Sequence, residues 1–242
     1  MKPFEEIKQH INKDLHDLLP KKWKKIGAIL IADFSQINNT DLAHTAQIYA
    51  DILKVKTVLQ KNKISGELRR PERTEILFGE DTETEITEYG LKYKIDLSKT
   101  MWSPGNTGWR AVLDGPEKVS SFYNFNNPKV IIDYFAGIGY FTIQLAKSYP
   151  AAKVISIDKN PNSIEYLKRN LAINNIDNVE ILNDDCRNVE RKGDVIHLGY
   201  ISNTLNFLEH ARNNLNENGI AVFHEAYNNS WPVSYTHLTL PT

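Results

Sequence analysis

The stretch from Val130 to Gly139 reads Val-Ile-Ile-Asp-Tyr-Phe-Ala-Gly-Ile-Gly, and it constrains the fold more than any other. A continuous apolar run of this kind belongs to a strand buried on both faces, as in a parallel sheet. It breaks at Ala136-Gly137 and Gly139, and helical composition begins at once over Tyr140–Ser148. Glycines at such a break let a ligand approach the backbone. The helix N-terminus behind them offers N–H groups and a positive dipole. The next run, Val154–Ile157, ends in Asp158, where a carboxylate can accept hydrogen bonds from ribose 2′- and 3′-hydroxyls. A strand, a glycine loop, a helix, a second strand and an acid together predict a nucleoside bound at strand C-terminal ends.

A dinucleotide fold asks for Gly-x-Gly-x-x-Gly. Counted from Gly137, the third glycine position holds Thr142. An acid, Asp133, ahead of Phe-Ala-Gly-x-Gly instead resembles motif I of the class I S-adenosylmethionine-dependent transferases. Such a domain needs another acid after its third strand, within reach of the adenine amino group. Val179–Leu182 reads as that strand, and Asn183-Asp184-Asp185-Cys186 follows. Asp185 is the candidate, with Cys186 beside it and Asp184 as the competing carboxylate.

Bulk properties narrow the partners. The 242 residues allow one large or two small domains. A formal charge of −1 argues against blanket nucleic-acid binding, so any RNA contact must come from a local patch. Between Lys54 and Arg73 the chain carries Lys56, Lys61, Lys63, Arg69 and Arg70 against Glu67 and Glu72. Its plain alternative is a solvated surface, and the acidic stretch Glu80–Glu88 follows directly. No apolar run approaches the roughly 18 residues of a membrane helix. The single cysteine, Cys186, excludes an internal disulfide and suits a reducing cytoplasm, the expected location. No activating His or Lys stands beside it in sequence, so a nucleophilic role is not expected. The histidines show no metal-ligand spacing.

Two domains are expected. Residues 1–98 read as α+β. The spacing of Phe4, Ile7, Ile11, Leu15, Leu18 and Leu19 predicts one helix up to Pro20, Ile26–Ala32 a strand, Thr40–Leu53 a helix and Val55–Leu59 a strand. Thr84–Leu97 alternates as a hairpin turning at Tyr89-Gly90. Residues 99–232 read as an α/β, Rossmann-like transferase domain, continuing with a helix over Asn162–Asn174. A fourth strand, Asp194–Ile201, a helix, Leu205–Leu215, and a fifth strand, Gly219–Glu225, complete it. Residues 233–242 read Val-Ser-Tyr-Thr-His-Leu-Thr-Leu-Pro-Thr. That string resembles the translation of a transposon-end sequencing adapter and is set aside from the fold. The native chain is expected to continue past about Pro232. A class I sheet usually adds two more strands, one covering the outer edge of the fifth, and these are missing from the sequence.

With both domains laid out, the chain resembles the archaeal tRNA wybutosine-synthesising protein 2 family from Phe4 to Tyr227. The segments that carry this are Lys56-Thr-Val-Leu, Gly66-Glu-Leu-Arg-Arg-Pro, Leu91-Lys-Tyr-Lys-Ile-Asp, Trp102-Ser-Pro-Gly-Asn, Asp133-Tyr-Phe-Ala-Gly-Ile-Gly and His197-Leu-Gly-Tyr. A sister family, the tRNA guanine-37 N1-methyltransferases, shares the two-domain plan. Nitrogen methyltransferases usually place an Asn-Pro-Pro-type loop after strand four. Here His197-Leu198-Gly199-Tyr200 has no proline, and a Leu-Gly pair characterises the wybutosine family.

The resemblance implies transfer of the 3-amino-3-carboxypropyl group of S-adenosylmethionine to C7 of 4-demethylwyosine at position 37 of tRNA(Phe), leaving 5′-methylthioadenosine. It implies a tRNA anticodon-region partner and no metal, and a monomer is expected. Ser103 and Arg110 match positions that hold the methionine end of the donor, a guanidinium being suited to a carboxylate. Their alternatives are a helix cap and a surface arginine. Gly137 and Gly139 are expected to line the donor, Asp158 to hold its ribose and Asp185 its adenine. His197 faces the base position, as a substrate contact, an acceptor of the C7 proton or a satisfied pocket histidine. Phe135, Tyr140 and Tyr200 are candidates to stack on a large base, the alternative being core. Guanine-37 methylation and tRNA binding without turnover remain the competing functions.

Overall fold

The computed structural model describes residues 2–102, 110, 127–200 and 204–223. Two compact units divide them, residues 1–87 with 93–102, and residues 88–92 with 103–242.

In the first unit, helix α1 (Pro3–Gln9) and helix α2 (Asn39–Leu53) lie against a sheet in the order β1 (Trp23–Ile26), β2 (Ile29–Ala32), β3 (Thr57–Gln60) and β6 (Ile76–Phe78). Ile7, Leu30, Phe34, Tyr49 and Val58 form its core. Asn38 caps α2 by accepting from the Asp41 amide at 3.0 Å. Between β3 and β6 sits a short pair, β4 (Ile64–Ser65) with β5 (Arg70–Pro71). A hairpin of β7 (Glu83–Glu88) and β8 (Leu91–Asp96) follows, turning at Tyr89-Gly90 with φ of 50° and 72°; its tip, residues 88–92, belongs to the second unit.

Two expectations for this unit are corrected. The opening apolar stripe is not one helix: α1 stops at Gln9, and Asn12 starts a separate 3-10 turn over Lys13–Leu15 by accepting from the Asp14 amide. An asparagine side chain competing for backbone N–H groups favours that break. Likewise Ile26–Ala32 is not one strand. Gly27, at φ 54°, turns the chain so that Ile26 pairs with Ile29 in an antiparallel hairpin.

The second unit holds a fully parallel sheet in the order β11 (Val179–Leu182), β10 (Lys153–Ile157), β9 (Val130–Tyr134), β12 (Gly193–Leu198) and β13 (Leu215–Phe223). Alternate residues serve opposite faces. Ile131, Val154, Val195 and Val222 pack with Leu145 of helix α3 (Thr142–Ser148) and with Phe141 just before it. Ile132, Ile155, Ile157 and Ile196 pack on the other side with Leu208 and Ala211 of helix α5 (Leu208–Asn214). Helix α4 (Pro161–Ile173) begins at Asn160, whose side chain accepts from the Asn162 amide. The expected Rossmann-like α/β fold is therefore present. Its last elements differ in extent: β12 ends at Leu198, the helix before β13 is shortened to α5 behind a 3-10 turn at Thr204–Phe207, and β13 starts four residues early. Asn216 explains the early start, since its side-chain amide donates to Asp194 of β12 at 2.7 Å.

The switch in winding direction falls between β9 and β12. Crevices for ligands in such sheets open at the C-terminal ends of the two strands flanking that point.

Candidate active site

The chain leaves β9 through three left-handed residues in five: Phe135 at φ 65°, Gly137 at 59° and Gly139 at 100°. Asp158, at the end of the neighbouring strand, closes over this loop. Its carboxylate accepts from the Gly137 amide at 2.7 Å and from the Asn160 amide at 2.8 Å. Burial pushes its pKa up to about 6, the Asn160 and Gly137 amides pull it down, and the charge of Asp133 raises it again. A carboxylate so placed borders both the glycine loop and the end of β10, where a ribose would lie.

Beneath the loop, Asp133 organises a buried network. Its two oxygens take the Thr142 hydroxyl at 2.6 Å and Nδ1 of His197 at 3.0 Å, and Thr142 also meets the Ser156 hydroxyl at 3.0 Å. Thr142 thus explains why a third glycine is absent: the position is used to tie helix to strand by a hydroxyl. His197 is 3% exposed, with its ring 4.3 Å from that of Phe141. It is thus buried, with Nδ1 tied to Asp133. From above, the buried Asn170 of α4 donates to the Ile138 carbonyl at 3.0 Å.

Gly139 has no room for a side chain. A Cβ there would stand 2.7 Å from Ile143 Cδ1 and 2.9 Å from Leu167 Cδ1, on a backbone already left-handed. Gly139→Ala is expected to cost about 2 kcal/mol of stability by strain and overpacking, read as a lowered thermal midpoint together with lost donor affinity.

At the end of β11, Asp185 begins the turn Cys186–Asn188 and accepts from the Arg187 amide at 3.0 Å. The Arg187 guanidinium bonds it twice, at 2.9 and 2.5 Å, and Lys159 Nζ reaches it at 3.2 Å. Arg187 foremost, with Lys159, holds this carboxyl well below its usual range. Asp184 is tied to the same turn, accepting from the Asp185 amide and from Asn188 Nδ2. Cys186 is buried and its thiol is pushed up to about 12 by that burial. It stays protonated at neutral pH and is no nucleophile.

Arg110 is not a surface arginine. It is fully buried and grips Glu88 side-on, Nε to Oε2 and Nη2 to Oε1, the latter at 3.1 Å. Ser103 lies outside the described residues. Phe135, Tyr200 and Phe207 form a half-buried aromatic group, with Phe135 4.8 Å from each of the other two rings. Among the described residues no group of His, Cys, Asp and Glu side chains could hold a metal. None of their helices is long and apolar enough to cross a membrane.

The loop, Asp158 and Asp185 converge on one edge of the sheet and suit a charged nucleoside donor. Comparison with known proteins identifies the lineage. Residues 84–235 match the TRM5/TYW2 methyltransferase domain, and residues 4–82 match the TYW2 N-terminal domain. The chain belongs to the TYW2 family. Over 223 residues it is 34% identical to the tRNA(Phe) (4-demethylwyosine(37)-C(7)) aminocarboxypropyltransferase of Pyrococcus horikoshii, spanning 91% of this chain and 77% of that protein. The structure of the P. horikoshii TYW2 protein in complex with MeSAdo superposes with a TM-score of 0.72 at 30% identity, covering 93% of this chain and 79% of that one. The sister branch is also near: a tRNA (guanine(37)-N(1))-methyltransferase Trm5b of Pyrococcus abyssi is 32% identical, over 87% of this chain and 62% of its own length. The N-terminal match is to a domain of TYW2 type, and the sequence directly after β12, Gly199-Tyr200, has no proline.

Proposed function

We propose that this chain transfers the 3-amino-3-carboxypropyl group of S-adenosylmethionine to C7 of 4-demethylwyosine at position 37 of tRNA(Phe), with release of 5′-methylthioadenosine. The observation that carries this reading is the relationship to aminocarboxypropyltransferases across nine-tenths of the chain.

A sulfonium activates three carbons alike, so attack at the methyl or at Cγ differs mainly in placement. Misplacement by about 1 Å can change a rate on the order of a hundredfold. Asp158 and the glycine loop would fix the nucleoside half, leaving the other half to be aimed so that Cγ faces the base. As the C7–Cγ bond forms, the Cγ–S bond breaks and its electron pair stays on sulfur as a neutral thioether. No acid is needed for that departure, and the C7 proton is lost to water. A buried His197, held by Asp133, accords with a site that catalyses by placement. The same reading has the enzyme act as a monomer, in the cytoplasm, on the anticodon region of the tRNA.

Two labelled donors test it. With the label on the carboxyl carbon, radioactivity should enter tRNA carrying the precursor base; with the label on the methyl, it should not. The reverse pattern would favour guanine-37 methylation. Donor binding with no label transferred would favour a tRNA-binding protein that does not turn over.

A further inference from the structure

Glu88 and Arg110 pair in a way that neither the acidic stretch nor the donor-binding motif announces. Arg110 is 0% exposed, and the Glu88 side chain is 14% exposed. Removing one partner of such a pair would leave an uncompensated buried charge on the other. The side-on grip engages Nε and Nη2. That fixes the plane of the guanidinium, which a single-point contact would leave free to rotate.

Its surroundings place it at the donor loop. The Tyr140 ring packs where a Cβ on Gly137 would stand. Burial pushes the Tyr140 phenol up, Arg110 opposes this and Asp158 adds to it, so both charges act on that hydroxyl. Tyr140, whose ring covers Gly137 of the glycine loop, thus feels the charge of Arg110 on one hand and of Asp158 on the other. The hairpin tip that carries Glu88 is itself held. Asn174, at the end of α4, accepts from the Lys92 amide at 2.9 Å and donates to the Lys92 carbonyl at 2.7 Å. It copies the paired bonds of a neighbouring strand. One turn earlier on the same helix, Asn170 holds the Ile138 carbonyl of the glycine loop.

We propose that Glu88 is a positioning residue for the aminocarboxypropyl end of the donor: it orients Arg110 toward the donor carboxylate, and Asn174 fixes the hairpin tip from which it does so. The inference rests on S-adenosylmethionine being the donor. It gives the hairpin a part in setting which carbon of the sulfonium faces the base.

The test compares S-adenosylmethionine with 5′-methylthioadenosine, which has the same nucleoside and no aminocarboxypropyl group. By calorimetry, Glu88→Gln should weaken S-adenosylmethionine about tenfold, as loss of one orienting charge-assisted contact does. It should leave methylthioadenosine within about twofold, and Glu88→Asp should recover part of the loss. Asn174→Ala, which leaves the ion pair intact, should act in the same direction, about threefold, and it covers the case of a Glu88→Gln protein that does not fold. Equal weakening of both ligands would reduce Glu88 to a structural role and overturn the proposal, as would no change in either. A wild-type protein that binds methylthioadenosine but not S-adenosylmethionine would overturn the donor assignment itself, and the positioning role with it.

Discussion

Asp158→Ala is expected to weaken S-adenosylmethionine binding on the order of a hundredfold. Two ribose hydroxyls donating to a charged carboxylate contribute roughly 3 kcal/mol together, and 1.36 kcal/mol corresponds to a factor of ten. The variant also frees the Gly137 and Asn160 amides, so the loop loses its pin. A pH dependence follows from the same carboxyl, raised from 3.8 to about 6 by burial. For folding, a raised acid contributes its stability in full below about pH 4 and loses it as pH rises through about 6. Donor binding runs the other way, because the hydroxyls donate to the ionised form. Affinity should therefore fall as pH drops below about 6, and Asp158→Asn should flatten that profile. Calorimetric titrations between pH 5 and 8 would show it; a flat wild-type profile would contradict the assignment.

Asp133→Ala should produce the largest loss of stability. The residue is 1% exposed and accepts from Thr142 and His197 at once. Removing it leaves Thr142 with Ser156 alone, and Nδ1 of His197 without its carboxylate, in the middle of the sheet. Each such deficit costs about 1–3 kcal/mol. A combined loss near 3 kcal/mol lowers the midpoint of a chain this size by on the order of 10 °C. Asp133→Asn keeps an acceptor for Thr142 and should lose less than half as much. A midpoint within about 2 °C of wild type for Asp133→Ala would show that the network adds nothing to the fold.

The glycine loop and its acids were legible in the sequence because their signals are local. An apolar run, a glycine break and an acid one strand later sit within thirty residues of chain. The first unit was harder to read at two points. Gly27 lies inside an apolar run, so the turn it makes was hidden until Ile26 was seen opposite Ile29. Asn12 interrupts a stripe with good helical spacing, and its cap is visible only as a hydrogen bond. Thr142 stood out only as a missing glycine; its hydroxyl found its use once Asp133 was placed under it. Glu88 could not be read at all. It ends an acidic stretch, 22 residues from Arg110, and nothing in spacing distinguishes it from Glu83 or Glu85. Sequence marks where a nucleoside can approach; the groups that hold those markers in place come from strands and helices far apart in the chain.

The most direct test of the central claim is the small molecule left after one turnover. The protein is incubated with S-adenosylmethionine and tRNA(Phe) bearing 4-demethylwyosine, and the nucleoside by-product is identified by mass spectrometry. Transfer of the aminocarboxypropyl group predicts 5′-methylthioadenosine, formed in step with modified tRNA. S-adenosylhomocysteine in its place would mean that the methyl had moved, and would contradict the account.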